Sequence, residues 1–202
     1  MEGPVEIRRR IRALRRALSP EEQRLHAAAL ARNVSALAMF RRAERIALYY
    51  PVRGEADPLP LLDRAVAMGK RVYLPVLPPY STHRLWFAPY REGMPMLPNR
   101  FGIPEPDLAK RSLVGPMRLD LVITPLVAFD EEGARMGMGG GFYDRTFAYL
   151  IRRGRWRRPR LLGFAHEFQR VERIDRRPWD VPLDGVVTEA RVYWPGAVAR
   201  SG

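Results

Sequence analysis

Between Arg135 and Asp144 the chain reads Arg-Met-Gly-Met-Gly-Gly-Gly-Phe-Tyr-Asp. Gly137, Gly139, Gly140 and Gly141 free the backbone to take positive φ and to approach a ligand closely. Successive N–H groups can then face one concavity, and a helix starting directly afterwards adds its own unpaired amides. A phosphate chain needs such a cradle. No Gly-Lys-Ser/Thr follows, so this is not a P-loop, and the loop is far from the first strand, so it is not a dinucleotide fingerprint. Asp144, at the start of the helix, offers a carboxylate for Mg²⁺, which takes one or two carboxylates and completes its shell with phosphate oxygens and water. Without a ligand, the same residues read as a glycine hinge followed by an ordinary first-turn acid.

The elements around this loop alternate. Ile7, Ile11, Leu14 and Leu18 form one apolar helical stripe. Ser19-Pro20-Glu21-Glu22 is a capping box that starts a second helix running to about Ala36. Strands are expected at 45–51, 71–76, 85–89, 120–124, 161–165 and 186–188, and helices at 59–68 and 142–152. Gly54-Glu55-Ala56-Asp57 reads as a turn, and residues 91–118, rich in Pro and Gly, as mostly irregular. This order predicts an α/β fold, a single three-layer domain over 1–202 with a mostly parallel sheet flanked by helices. Ligands of such sheets bind beyond the carboxyl ends of the strands.

Composition excludes several other chemistries. The 202 residues include no Cys, which rules out a disulfide scaffold, a thiolate zinc site, an iron–sulfur cluster and a Cys nucleophile. The histidines are His26, His83 and His166; none is spaced like a metal pair, so a His-based metal site is not expected. The longest apolar stretch, 121–129, is far short of the roughly 20 residues that span a bilayer. No apolar secretion signal follows Met1, so a soluble cytoplasmic protein without membrane contact is expected. The net charge is +13, nearly all from Arg, concentrated in 1–45 and 146–173. Such a surface attracts polyanions: nucleotides, nucleic acid or a polycarboxylate substrate.

Four segments, in order, carry a resemblance: Phe101-Gly-Ile-Pro-Glu-Pro106, Asp120-Leu-Val-Ile-Thr-Pro-Leu-Val-Ala-Phe-Asp130, Arg135 to Asp144, and Asp180-Val-Pro-Leu-Asp-Gly-Val-Val-Thr-Glu189. With Leu14-Arg-Arg-Ala-Leu-Ser-Pro-Glu-Glu22 and the Gly54-Glu55 turn, they resemble the motifs of the 5-formyltetrahydrofolate cyclo-ligase (methenyltetrahydrofolate synthetase) family over nearly the whole chain. The resemblance implies an ATP- and Mg²⁺-dependent ring closure. The formyl oxygen on N5 of the folate takes the γ-phosphoryl group, N10 attacks the activated carbon, and phosphate leaves.

It also implies site residues. Arg135, Met136, Gly137, Met138, Gly139, Gly140, Gly141, Phe142 and Tyr143 would line the ATP site, with Arg135 and Tyr143 as the catalytic candidates. Asp144 and Asp184 would hold Mg²⁺, and Tyr50, Glu55 and Phe101 would contact the folate. The family's N-terminal Lys and, four residues on, Arg fall at Pro4 and Arg8; the Lys is missing here, so Arg8 stands as the ATP contact, with Arg9, Arg10 or Arg12 to compensate. The substrate would be 5-formyltetrahydrofolate, with a polyglutamate tail that the Arg cluster at 152–160 could steer.

Two other readings compete. An isomerase or CoA-transferase-like enzyme needs a general base or nucleophilic Glu that nothing here singles out. A basic RNA-binding module would use Arg8 to Arg16 and Arg152 to Arg160, with Trp156 stacking on a base, but it leaves the Gly-rich loop unexplained.

Overall fold

The computed structural model describes residues 2–77, 84–107, 112–152 (without the Arg152 side chain) and 158–196. Two long helices and a short one open the chain: α1 (Pro4–Ala17), α2 (Pro20–Ser35) and α3 (Ala38–Arg42). The expected capping box starts α2, with Ser19 N–H donating to Glu22 Oε2 at 2.8 Å and Glu22 N–H to Ser19 Oγ at 3.1 Å. In α1 the apolar stripe is corrected. Ile7 and Ile11 are buried, but the next buried position is Arg15, at 3% exposure, while Leu14 is 38% exposed. The buried face runs i, i+4, i+8, and a charged residue takes the place expected of Leu14.

The central sheet has seven strands in the order β11-β10-β9-β6-β1-β2-β3. They are β1 (Arg45–Ala47), β2 (Arg71–Val76), β3 (Trp86–Pro89), β6 (Leu121–Pro125), β9 (Arg160–Phe164), β10 (Gly185–Val187) and β11 (Val192–Tyr193). Strands β2, β1, β6, β9 and β10 run parallel, and β3 and β11 are antiparallel edges. Alternation along each strand divides the core. Ile46, Val72, Leu121, Ile123, Leu162 and Val187 pack on one face with α2 and with α4 (Leu59–Ala67). Ala47, Val122, Leu161 and Val186 pack on the other with Phe147 and Leu150, from α5 (Phe142–Phe147) and α6 (Tyr149–Arg152). The α/β, helix–sheet–helix layering is as expected.

Four differences bear on the site. The first strand is paired only over 45–47, with Leu48 N–H still reaching Tyr73 O; beyond it Tyr49 and Tyr50 turn into a cavity. The 91–118 stretch contains a hairpin, β4 (Met96–Pro98) and β5 (Pro104–Pro106). A second hairpin, β7 (Ala128–Phe129) and β8 (Arg135–Met136), leads into the Gly-rich loop. The helix expected over 142–152 breaks at Ala148 into α5 and α6. Strands of two or three residues are too short to leave a periodicity in sequence. No helix among the described residues is long and apolar enough to cross a membrane.

Candidate active site

From β1 the chain leaves to β2 on one side and, through β6, to β9 and β10 on the other, so the sheet reverses its winding between β1 and β6. Such a switch point opens a crevice beyond the carboxyl ends of the strands. A cavity of about 610 Å³ lies there, floored by Tyr49 and Tyr50 after β1, Leu77 after β2, and Pro125 and Leu126 at β6. Its walls are the 52–55 turn, the β4–β5 hairpin and the Gly-rich loop.

The first wall is a strained turn. Arg53 and Gly54 have φ of 53° and 70°, costly for Arg53 and requiring Gly at the second position. A Cβ on Gly54 would also stand 3.0 Å from the Arg15 carbonyl oxygen. The turn is closed by Glu55 N–H donating to Val52 O at 3.1 Å and Val52 N–H donating to Glu55 Oε2 at 3.2 Å. Burial pushes the Glu55 carboxyl above its ordinary range, and the Arg15 guanidinium works against that shift. Arg15 itself is held by Nη2 donating to Leu126 O at 2.5 Å, while its Nε has no hydrogen-bond partner among the described residues. Both tyrosines line the cavity, but Tyr49 is the core residue, its hydroxyl donating to Ala56 O, and Tyr50 is half-buried.

The hairpin wall brings Phe101, which meets Phe142 edge-on with centroids 6.2 Å apart. Glu105 sits beside it, accepting from Leu77 N–H at 3.1 Å and from Asn99 Nδ2 at 2.7 Å. Both Asn99 and Glu105 line the cavity. Glu105 lies inside a segment quoted above, but without the hairpin nothing pointed it at the floor of the crevice.

The third wall is the Gly-rich loop. Gly139 and Gly141 take φ of 98° and 61°, and a Cβ on Gly137 or Gly139 would meet no atom within 4 Å, so the loop is open on the side where a side chain would stand. α5 has only six residues, so its own dipole is short. Arg8 Nε donates to Gly137 O at 3.2 Å, which joins α1 to the loop. Arg12, one turn along, lines the cavity, whereas Arg10 is paired with Glu2 at 2.9 Å. Met138 is exposed at the rim, Met136 is buried in β8, and Tyr143 lines the cavity while stacking on Phe147. Burial, reinforced by Glu55, raises the Tyr143 phenol, so it is a neutral hydroxyl near pH 7.

Arg135 is 6% exposed and already engaged: Nη2 on Asp144 Oδ1 at 2.5 Å and Nη1 on Val181 O at 2.6 Å. Val181 N–H also donates to Asp144 Oδ1, at 3.2 Å. Arg135 therefore aims the carboxylate. Asp144 keeps a 29% exposed side chain on the cavity wall.

Asp184 does not join it. It bonds Leu161 N–H at 2.8 Å and Arg160 at 2.6 Å, at the start of β9, the opposite end of the parallel strands. There it lines a separate cleft with Asp120 and Arg158. The pairing of a turn Asp with the first amide of the neighbouring strand explains the position. In the Asp180–Glu189 segment, the acid on the Asp144 side is Asp180, whose charge acts on Arg135. Arg158 and Arg160 pair with Asp120 and Asp184 at that same far end, away from the cavity; residues 153–157 lie outside the described residues. Of the six α1 arginines, Arg8, Arg10 and Arg15 bond within the molecule and Arg12 lines the cavity, while Arg9 and Arg16 are exposed.

Comparisons with known proteins agree with this architecture. The 5-formyltetrahydrofolate cyclo-ligase family model matches residues 1–189. The 5-formyltetrahydrofolate cyclo-ligase of Escherichia coli K12 is 42% identical over 183 residues, covering 91% of this chain and 98% of the relative. That of Haemophilus influenzae is 39% identical over 180 residues, covering 88% and 93%. The solution structure of Aquifex aeolicus 5,10-methenyltetrahydrofolate synthetase superposes with a TM-score of 0.77 at 32% identity, covering 98% of this chain and 94% of that one. A cavity at the switch point, walled by the family's own segments, and a family match over nearly the full length place this chain in the 5-formyltetrahydrofolate cyclo-ligase family.

Proposed function

We propose that this protein closes 5-formyltetrahydrofolate to 5,10-methenyltetrahydrofolate at the expense of ATP, in one compact unit formed by the whole chain. The observation that carries the reading is the single cavity in which the Gly-rich loop and Asp144 face Tyr50, Glu55 and Phe101, so a phosphate chain and a folate ring can meet there. An amide-like formyl oxygen is a poor leaving group. Its attack on the γ-phosphorus expels ADP and makes a phosphate ester; N10 then attacks the formyl carbon, and the carbon–oxygen bond breaks with release of phosphate. Little covalent work falls to the protein, which aligns the reactants and balances charge.

Glu55 as carboxylate accepts N–H groups of the pterin, and Tyr50 and Phe101 supply apolar surface for the ring. The loop amides with Arg8 and Arg12 bind the phosphates, Arg12 supplying the cation that Pro4 does not. The open space beside Gly137 and Gly139, and a carboxylate aimed by Arg135, fit a phosphate-bound Mg²⁺. Asp144, with Asp180 behind it, would hold that ion, whose charge offsets the phosphate oxygens during transfer. Tyr143, neutral, hydrogen-bonds rather than acts as a base.

The test is an absorbance assay for the methenyl product, with purified protein and 5-formyltetrahydrofolate. Product is expected only with both Mg²⁺ and ATP; turnover without ATP, or none with it, overturns the proposal.

A further inference from the structure

On the other side of the Gly54 turn from the cavity, three segments distant in sequence bring nitrogen and oxygen donors together. His26 comes from α2, His166 follows β9, and Glu189 follows β10. His26 Nδ1 and His166 Nδ1 are 3.0 Å apart, and Glu189 Oε1 is 3.6 Å from His26 Nδ1. One donor atom from each of the three residues lies within 4.8 Å of the others. From the sequence no His pair was expected, because the two histidines are 140 positions apart; the parallel crossover puts them side by side.

Tetrahedral zinc with metal–nitrogen bonds of about 2.0–2.1 Å separates adjacent nitrogens by about 3.3 Å, between the two separations found. The supporting contacts also match those of a ligand set. His166 Nε2 faces Gly54 O at 3.3 Å. A carbonyl accepts only, so the His166 proton sits on Nε2 and its Nδ1 lone pair points at His26. Metal-bound histidines are held by such a second bond to a backbone carbonyl. The His166 ring is clamped by stacking on Phe168, with centroids 5.0 Å apart and planes 11° apart. Glu189 is oriented by Glu167 N–H, which donates to Oε1 at 3.1 Å and Oε2 at 3.0 Å. Asn33, two turns after His26 on α2, donates to Thr188 O at 2.9 Å and Glu189 O at 3.3 Å, fixing the helix against this strand end.

We propose that His26, His166 and Glu189 bind a zinc-class divalent transition ion, with water completing the tetrahedron, in a site separate from the catalytic cavity. Without the ion, His26 Nδ1–H donates to His166 Nδ1. On binding, the proton leaves His26 Nδ1 so that this nitrogen coordinates, and the ring is held as the Nε2–H form. The donors, two imidazoles and one carboxylate, suit zinc or cobalt over Mg²⁺, which prefers oxygen ligands. The ion would tie α2 to the ends of β9 and β10 behind the Gly54-Glu55 turn. This inference does not depend on the proposed reaction.

The test uses untagged full-length protein, stripped with a chelator and titrated with Zn²⁺ by calorimetry and with Co²⁺ by visible absorption. The expected result is one equivalent with micromolar or tighter affinity, tetrahedral cobalt bands, and a melting temperature raised by about 5–10 °C at a hundredfold excess over Kd. His26→Ala and Glu189→Gln, both at half-buried positions, should each weaken binding at least tenfold and abolish the bands, while Asp144→Asn keeps them. Glu189→Gln retains an acceptor for Glu167 N–H, so it reports even if His26→Ala does not fold. Absence of zinc uptake at micromolar metal, uptake unchanged in folded His26→Ala or Glu189→Gln, or loss in Asp144→Asn overturns the proposal.

Discussion

Replacing Arg15 by Met tests the electrostatics of the folate wall. Arg15 is 3% exposed on the buried face of α1, and its charge holds down the Glu55 carboxyl, which burial pushes up. Arg15 makes no ion pair with Glu55 within 4 Å, so at an effective dielectric near 20 their coupling is below about 4 kcal/mol. The sign follows from the direction. Glu55 is raised in the folded state, so the folded form is favoured below the unfolded carboxylate pKa, and that advantage is lost as pH rises through the folded value. Removing Arg15 raises the folded value further and widens that window toward neutrality. If Glu55 must be ionised to hold the pterin, the acidic limb of the kcat/KM profile should move to higher pH. Met fills much of the volume, and Gln169 Nε2 still donates to Leu126 O at 2.7 Å, so the stability loss should stay near about 2–3 kcal/mol, or roughly 5–10 °C. Profiles recorded for wild type, Arg15→Met and Glu55→Gln decide the matter. A folded Arg15→Met enzyme with the wild-type acidic limb, or a Glu55→Gln enzyme that retains it, refutes the reasoning.

Asp144→Asn keeps shape and removes charge; turnover should fall at least about a hundredfold while the melting temperature changes by only a few degrees, and a folded variant with wild-type Mg²⁺ dependence would exclude a metal role. Gly140→Val should raise the ATP Kd at least tenfold, because its Cβ would stand 2.8 Å from the Phe142 ring and force that ring to move; calorimetry with wild-type affinity would remove the loop from the nucleotide site. Ile11→Ala, at a fully buried position of α1, should cost about 2–4 kcal/mol and raise the KM for ATP more than that for folate; equal changes in both would argue that α1 serves only the core.

The parts of the fold legible in sequence are those with long periods or explicit caps. Ser19 and Glu22 marked α2, and 71–76 was read as a strand at the residues where it forms. Arg15 was misplaced because hydropathy ranks it outside, and only the Leu126 carbonyl and the Glu55 charge make its burial tolerable. Asp184 was assigned by type and motif membership, yet polarity of the strands decides which end of the sheet an acid occupies, and that requires knowing which backbone amide it bonds. Tyr50, Glu55, Phe101 and the Gly-rich loop, assigned from separate motifs, do share one cavity, because each follows a strand or caps a hairpin on the same edge. His26 and His166 carried no signal at all, since their proximity is a product of topology.

The N-terminal helix links these observations. Its apolar contribution is small: Ile7 and Ile11 join Val127, Ala128 and Met136 in a minor cluster formed by the β7–β8 hairpin. The same helix sends Arg8 to the Gly137 carbonyl, Arg12 into the cavity and Arg15 to the Leu126 carbonyl. These contacts land on the β6–β8 region or the loop that follows it, and Phe168, Val171 and Ile174 pack against the same cluster as the two isoleucines, so α1 docks beside the cavity rather than on the main sheet core. The helix is held by two isoleucines and by arginines that reach the hairpin, the loop and the cavity, with the 168–174 segment packed against its apolar face. Arg8 bonds the Gly-rich loop and Arg12 lines the same cavity, so α1 and the loop are joined by direct contact. The charge concentrated in the first 45 residues is then in part a component of the site rather than a general basic surface.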